Sequence, residues 1–176
     1  MQNSQPLPNN ETKRLEALRK YKILDSSPEA AYDSITALAA TICEVPTAFI
    51  SFVDKDRQWF KSKVGLDVCE TDREVAFCAH TIMRDDVLVI EDAKENELFK
   101  DNPLVTGEPF IRFYAGAPIR NSEGMGLGSV CVVDRVPGKL TDVQLTALRD
   151  LAGLAMEMLE TRQVLDELAT VNQELK

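Results

Sequence analysis

Apolar residues recur at intervals of three and four positions in the first quarter of the chain, a spacing typical of helices with one buried face. Residues 11–21 predict a charged helix of this kind, and residues 28–43 predict a second helix. Ser27 precedes the second helix and has a side chain that commonly caps a helix start. Residues 1–10 are polar and contain two prolines, which predicts a disordered tail.

Runs of β-branched and aromatic residues in the middle of the chain predict five strands. They cover residues 47–54, 58–65, 87–93, 110–120 and 126–134. The first two runs are separated by a three-residue polar turn, and the last two by a turn with two glycines, which tolerate positive φ angles. Each of these two pairs therefore predicts an antiparallel hairpin.

A short helix and a long loop complete the middle of the chain. Residues 75–83 predict the short helix, whereas residues 94–109 are polar with several helix breakers and predict a loop with at most one helical turn. This order of elements is typical of a mixed α/β (α+β) domain whose sheet is covered on one face by the terminal helices. The long loop must then cross the other face, where we expect a pocket.

Residues 140–176 contain no proline and predict a single long helix. Its apolar residues follow a heptad, with Leu151, Met158, Leu165 and Asn172 at one core position and Leu154, Thr161, Leu168 and Leu175 at the other. Because a lone asparagine at the first position favours two parallel strands, the pattern predicts a parallel homodimer. The alternative is an amphipathic helix that packs along its whole length on its own sheet.

Length and charge narrow the range of functions. A chain of 176 residues with 44% hydrophobic residues is expected to form one domain with a full core. A net charge of −9 without a basic patch argues against nucleic acid and anionic membranes as partners. No stretch approaches the roughly 18 apolar residues of a membrane span, and no secretory signal is found, so we expect a cytoplasmic protein.

The cysteine and histidine content argues against a metal centre. The four cysteines, Cys43, Cys69, Cys78 and Cys131, form no C-x-x-C pair, and His80 is the single histidine. A zinc site requires about four converging ligands. The sequence therefore predicts reduced thiols and no metal site.

Several separated segments resemble, in the expected order, the GAF domains of bacterial, often cyanobacterial, signalling proteins. They include "AFCAHTI", "VIEDA", "NPLVTGEPFIRFYAGAPI" and "GLGSVCVVD", and the resemblance extends over residues 14–159. It implies a six-stranded antiparallel sheet with a ligand pocket on one face, placed upstream of a histidine kinase, a diguanylate cyclase or another output domain. The sequence contains no motif of such an output domain. We accordingly divide it into a tail (1–10), a sensory domain (11–159) and the start of a signalling coiled coil (160–176).

The ligands known for the resembling family can be weighed against individual residues. Relatives that carry a bilin attach it to a cysteine followed directly by a histidine, whereas Ala79 separates Cys78 from His80 here. His80 could be an axial ligand of haem, but no other residue marks a porphyrin pocket. The motif of cyclic-nucleotide-binding relatives is absent. The residues argue against bilin and haem, and the ligand stays undetermined.

Six residues are the candidates for lining the pocket. They are Trp59, Phe60, Cys78, His80, Arg112 and Tyr114. We expect Phe77 to pack inward and His80 to form a hydrogen bond with the long loop. An arginine on an apolar strand needs an anion or a carboxylate, so Arg112 is expected to pair with Asp92 or Glu91 or to contact a ligand.

The favoured function is a non-catalytic sensory module that transmits a signal through its dimeric C-terminal helix. One alternative is a thiol-dependent reductase of free methionine sulfoxide, with Cys78 as nucleophile and Cys69 as the resolving cysteine. Another alternative is a photosensor that binds a bilin.

Overall fold

The computed structural model describes residues 7–176, so residues 1–6 of the predicted tail lie outside the described residues. Six strands form one antiparallel sheet in the spatial order β3-β2-β1-β6-β5-β4. The strands are β1 (Thr47–Val53), β2 (Arg57–Val64), β3 (Glu70–Asp72), β4 (Leu88–Ile90), β5 (Phe113–Arg120) and β6 (Gly126–Asp134). The predicted hairpins β1–β2 and β5–β6 are both present, which confirms the mixed α and β architecture.

The three longer helices cover one face of the sheet. The helices are α1 (Glu11–Lys20), α2 (Ala30–Cys43), α3 (Cys78–Thr81), α4 (Pro103–Thr106) and α5 (Asp142–Glu174). The apolar faces of α1, α2 and α5 bury Ile50, Phe52 and Leu127 of the central strands in a continuous helix-side core. None of the helices in the described part of the chain combines the length and apolarity of a membrane span.

The opposite face of the sheet is covered by α3, α4 and the irregular chain between β4 and β5. Strand side chains alternate between the two faces, so Ile50 points to the helix-side core while Phe49 and Val53 belong to a second, smaller core. Phe99 and Val105 from the long loop complete this second core. The loop therefore crosses the face where the sequence places it.

The long helix α5 begins with a capping box, in which Thr141 and Gln144 each bond the other's backbone N–H. Its first half packs on the sheet through Leu148, Leu151, Ala152, Ala155 and Leu159. This corrects the predicted dimer seam, because Leu151 is only 5% exposed in the core of its own chain and Met158 is partly buried there. The division at residue 160 stays a prediction, since α5 runs through it unbroken.

Some local predictions are wrong. Ser27 does not cap α2, which begins at Ala30 with extended Glu29 at its N-cap. The predicted short helix is a 3₁₀ turn (Arg73–Val75) followed by only four residues of α3. The edge strand β3 was not predicted, because its sequence Glu-Thr-Asp has no apolar alternation and its only partner is β2.

Candidate functional site

A cavity of about 390 Å³ lies between the second face of the sheet and the segments that cover it. Aromatic and aliphatic side chains from several elements form its walls: Phe49, Phe60, Leu66, Phe77, Leu104, Ile111, Tyr114 and Val133. Phe49 and Phe60 meet edge to face at a centroid distance of 4.9 Å, which fixes their rings. The volume is at the lower end of the roughly 300–1,000 Å³ typical of small-ligand sites.

One buried polar side chain in the cavity lining has an acceptor without a partner among the described residues. Gln58 lines the cavity and is only 4% exposed. Its amide nitrogen donates to Thr71 Oγ1 over 3.1 Å, while its carbonyl oxygen has no hydrogen-bond partner among the described residues. A buried carbonyl left without a donor is unfavourable, so the site can accept a hydrogen bond from a ligand.

The mouth of the cavity is predominantly acidic. Asp67, Glu108 and Asp134 line it together with a single basic residue, Arg135. Arg135 is engaged by Glu108 at 3.2 Å, whereas Asp67 and Asp134 form no ion pair within the described part of the chain. Lys63, which lies nearby, donates to the Val68 carbonyl oxygen over 2.6 Å. The local charge at the mouth is therefore negative.

Thiols and hydroxyls form a buried cluster behind the cavity wall. Cys78 Sγ lies 3.4 Å from Cys131 Sγ, and Ser51 Oγ donates to Cys78 Sγ over 3.1 Å. Tyr114 Oη lies 3.1 Å from Cys131 Sγ and 2.6 Å from Thr81 Oγ1. Together with Ser129, which contacts Cys131, these groups satisfy one another's hydrogen bonds in an apolar setting.

The two cysteines of this cluster differ in acidity. Burial raises the pKa of Cys78, but hydrogen bonds from Cys131, Ser129, Ser51 and Tyr114 outweigh burial and lower this pKa to about 7. Burial and the adjacent Cys78 raise the pKa of the Cys131 thiol. A thiolate would therefore form first at Cys78, the cysteine that lines the cavity.

Gly116 is required for this arrangement. A Cβ at this position would overlap the Tyr114 hydroxyl and press against Cys131 Sγ. Because Gly116 has no side chain, the phenol of Tyr114 reaches across β5 to the sulfur on β6.

The structure brings together three of the six predicted pocket residues. Phe60, Cys78 and Tyr114 line the cavity. Trp59 is a correction: it belongs to the helix-side core, because neighbouring residues on a strand point to opposite faces and Phe60 takes the cavity side. Arg112 also lies outside the lining and binds Asp92 through two bonds of 2.7 Å, one of the two predicted carboxylate partners.

His80 does not line the cavity either. Its ring packs edge-on against Phe99 of the long loop at a centroid distance of 4.8 Å. Among residues 7–176 its side chain makes no hydrogen bond, so the predicted bond to the loop is wrong, although the loop contact exists. Burial and the charge of Arg84 lower the pKa of His80, which favours the neutral ring.

Sequence reasoning missed several cavity residues. Phe49 could have been found from strand alternation once the faces were assigned, since it lies one residue from buried Ile50. Leu104, Ile111 and Gln58 show no such signal, because the course of the loop and the depth of each strand position decide their placement.

The residues around the cavity do not fit a bilin or a haem, the two prosthetic groups considered from the sequence. The buried Cys78 thiol is bonded to Ser51 and Cys131 at the cavity wall, whereas the His80 ring lies outside the lining and packs on Phe99, so the two do not present a joint attachment site. No group of three potential metal ligands is found within the described residues.

The sequence matches a protein family model and a curated protein of known name. The sequence model of the GAF domain matches residues 27–159. A cyclic di-GMP phosphodiesterase of Pseudomonas aeruginosa is 40% identical over 157 residues, which cover 89% of this chain. The chain spans only 27% of that curated relative's length.

Solved structures share the fold at low sequence identity. The GAF domain of an Acinetobacter phosphoenolpyruvate-protein phosphotransferase superposes with a TM-score of 0.65 at 17% identity, covering 90% of this chain and 97% of that chain. A free methionine-R-sulfoxide reductase from Neisseria meningitidis, in complex with its substrate, has a TM-score of 0.59 at 14% identity, with coverage of 96% and 99%. The blue-light absorbing PixJ GAF domain of Thermosynechococcus elongatus has a TM-score of 0.65 at 12% identity. The match covers 90% of this chain and 95% of that chain.

Proposed function

Since the chain belongs to the GAF domain family, we propose that it is a non-catalytic sensory module in which a small ligand in the cavity controls the C-terminal helix. The single observation that carries this proposal is the double role of α5. Its first half is part of the domain core, and its second half extends beyond it with exposed apolar residues. One rigid helix thus connects the sheet that holds the cavity with a surface available to a partner.

The exposed part of α5 fits a homodimer. Its apolar residues are roughly half to four-fifths exposed: Val164, Leu165, Leu168, Val171 and Leu175. Val164 and Val171 each directly precede a first core position of the predicted seam of Leu165, Leu168, Asn172 and Leu175, so they widen its apolar surface on one side. Leu154, half exposed further back along α5, lies on the predicted seam as well. A second copy of this helix would cover the stripe.

The base of the free helix is fastened to the N-terminal segment. Arg162 Nε donates to the Tyr21 carbonyl over 3.0 Å, and Arg162 Nη1 to Glu29 over 3.0 Å. Tyr21 in turn donates to Glu160 over 3.0 Å. These bonds hold α5 where it leaves the core, so that a displacement of the sheet is transmitted to the helix rather than lost in a loose linker.

We place an output domain of the histidine kinase or diguanylate cyclase type downstream of this helix. The relation to a protein named as a cyclic di-GMP phosphodiesterase supports output through that second messenger. Because the chain spans about a quarter of that relative, the remaining three quarters offer room for such a domain there.

Light scattering of the purified full chain tests the proposal. Leu165→Asp places a charge in the seam and should shift the protein from dimer to monomer, as should truncation after Thr161. Leu98→Asp is the matched control, because Leu98 is 59% exposed against 61% for Leu165 but lies on the long loop. Equal oligomeric states for Leu165→Asp, the truncated chain and Leu98→Asp would overturn the coiled-coil proposal.

A second candidate function rests on the sulfur pair. Cys78 and Cys131 lie 3.4 Å apart beside the cavity, whereas Cys69 is exposed next to Lys63, so Cys131 replaces Cys69 as the resolving cysteine. In this reaction the sulfoxide sulfur–oxygen bond breaks, the oxygen leaves as water with two protons, and the two thiols become a disulfide that an added dithiol reduces. Consumption of free methionine sulfoxide with dithiothreitol, lost in Cys78→Ser, would support the reductase, and no turnover would exclude it.

A further inference from the structure

We infer that the cavity binds a compact aromatic amine, with its ring among the phenylalanines, a ring N–H donated to Gln58, and its ammonium group at the acidic mouth. The inference rests on the proposed function, since it specifies the ligand of that same cavity. Three independent features of the site lead to it: the apolar walls, the unpartnered acceptor and the sign of the charge at the mouth.

The walls select a flat apolar body. Phe49 and Phe60 contribute aromatic surface from the sheet, and Phe77 stacks on Phe99 at 4.3 Å so that its position is fixed before a ligand enters. Tyr114 is tied through its hydroxyl to the thiol cluster and presents only its ring. Preformed walls of this kind reward a rigid ring, because little conformational freedom is lost on binding.

The buried acceptor requires a donor on that ring. Gln58 lines the cavity and is almost fully buried, and Thr71 holds its amide nitrogen, so the carbonyl oxygen is the atom left without a partner among the described residues. Thr47, also in the lining, donates its hydroxyl to the Gly65 carbonyl and does not serve this role. A ligand N–H that reaches Gln58 Oε1 gains a hydrogen bond in a dry setting, whereas a ligand without one leaves the carbonyl unsatisfied.

The mouth selects a cation over an anion. Asp67 and Asp134 lack ion-pair partners within the described range, and Glu108 already neutralises Arg135. A phosphate or carboxylate would have to displace Glu108 from Arg135 and approach two further carboxylates. An ammonium group meets a net negative charge at this position, although water weakens each contribution at so exposed a rim.

Calorimetric titration of the full chain with four indole compounds tests the acceptor and the charge at the mouth separately, because the aromatic ring is the same in all four. Tryptamine has the ring, the ring N–H and the ammonium group, 1-methyltryptamine lacks the N–H, indole lacks the cation, and indole-3-acetate replaces it with an anion. We expect tryptamine to bind about tenfold more tightly than 1-methyltryptamine. It should bind about three- to fivefold more tightly than indole, with indole-3-acetate the weakest.

Two variants assign these differences to residues. Gln58→Leu should abolish the preference for tryptamine over 1-methyltryptamine, and Thr71 remains partly exposed to water when its partner is lost. Asp67→Asn with Asp134→Asn should abolish the preference for tryptamine over indole and leave indole binding unchanged. Glu97→Gln, an 87% exposed carboxylate away from the cavity, is the control for the second variant. Thermal melts of each variant establish that it is folded.

The outcomes separate this inference from the proposed function. Indole-3-acetate binding as tightly as tryptamine, or no saturable tryptamine binding at millimolar concentration, would overturn the ligand class. The same would follow if 1-methyltryptamine matched tryptamine on the unaltered protein, a comparison that requires no variant. The oligomeric state of Leu165→Asp is independent of these titrations, so a wrong ligand class leaves the dimeric signalling helix standing, and the reverse also holds.

Discussion

Replacing Glu11 with glutamine should destabilise the domain more than any surface carboxylate does. Glu11 accepts hydrogen bonds from Arg73 and, at 2.8 and 2.9 Å, from Arg14. Arg14 is 1% exposed and Arg73 is fully buried. Arg73 Nε and Nη2 have no partner among the described residues, so Glu11 is the single carboxylate that compensates two buried guanidinium groups. Removing its charge leaves both cations buried and unpaired.

The size of this destabilisation follows from the lowered pKa of the Glu11 carboxyl group. Burial raises the pKa of Glu11, but hydrogen bonds and charges from Arg14 and Arg73 outweigh burial and lower the pKa from 4.5 to about 2. Each pKa unit corresponds to about 1.4 kcal/mol, so the shift is equivalent to about 3 kcal/mol of folding free energy. Because one fifth of the Glu11 side chain is exposed, solvent screening reduces this to about 2–3 kcal/mol.

The pH dependence has a definite sign. A carboxyl group with a lower pKa in the folded state stabilises the protein above its unfolded-state pKa, and this contribution disappears as the pH falls toward the folded-state value. The difference in unfolding free energy between the parent protein and Glu11→Gln should therefore be full at pH 7. It should begin to shrink near pH 4.5 and approach zero near pH 2. All other titrating groups are common to both proteins and cancel in the difference.

Urea unfolding followed by circular dichroism, between pH 7 and pH 3, measures this difference. Glu97→Gln is the control, since Glu97 forms an exposed ion pair with Lys100 that is expected to contribute little. The reasoning is refuted if, at pH 7, the free energy of unfolding of Glu11→Gln lies within about 0.5 kcal/mol of that of Glu97→Gln. It is also refuted if the difference between parent and Glu11→Gln does not shrink on acidification.

Two further predictions concern α5 and the loop contact. Thr141→Val removes the capping box with Gln144 and should lower the free energy of unfolding in urea by about 1 kcal/mol, whereas Thr12→Val at an exposed position of α1 should cost clearly less. His80 has a pKa lowered by burial and by Arg84, so its protonation opposes folding and the parent protein should lose stability relative to His80→Gln as the pH falls below 6.5. Thermal melts at about pH 7.5 and 5.5 test this, and a constant difference would contradict it.

Much of the fold follows from local pattern. The period of three and four marks α2 and α5, and β-branched runs mark the strands, because these signals come from which side chains must be buried in each element. The glycine-containing turn marks the β5–β6 hairpin for a similarly local reason. Thr141, directly before α5, caps it with its side chain, and the carboxylate partner of Arg112 is Asp92, one of the two that were expected. The helices, the strand runs, the hairpin turn and the cap each depend on residues close in sequence or on one element.

The sequence by itself therefore determined the longer elements, the family and the face of the sheet that carries the cavity, while the tertiary structure decided which side chains meet there. Trp59 and Phe60 are equally apolar neighbours, and only pairing with β1 assigns one to each face. Ile50 pairs with Ser62 and Ser51 with Phe60, so Lys61 is an extra residue that breaks the simple alternation.

The hydrophobic pattern does not predict contacts between residues that are distant in sequence. Cys78 meets Cys131 across 53 positions, and Glu11 meets Arg73 across 62. Leu151 fits a dimer heptad equally well, but the sheet of its own chain covers it. The physical reason is the same in each case: periodicity specifies that a side chain is buried, whereas the partner that buries it depends on how complete elements pack together.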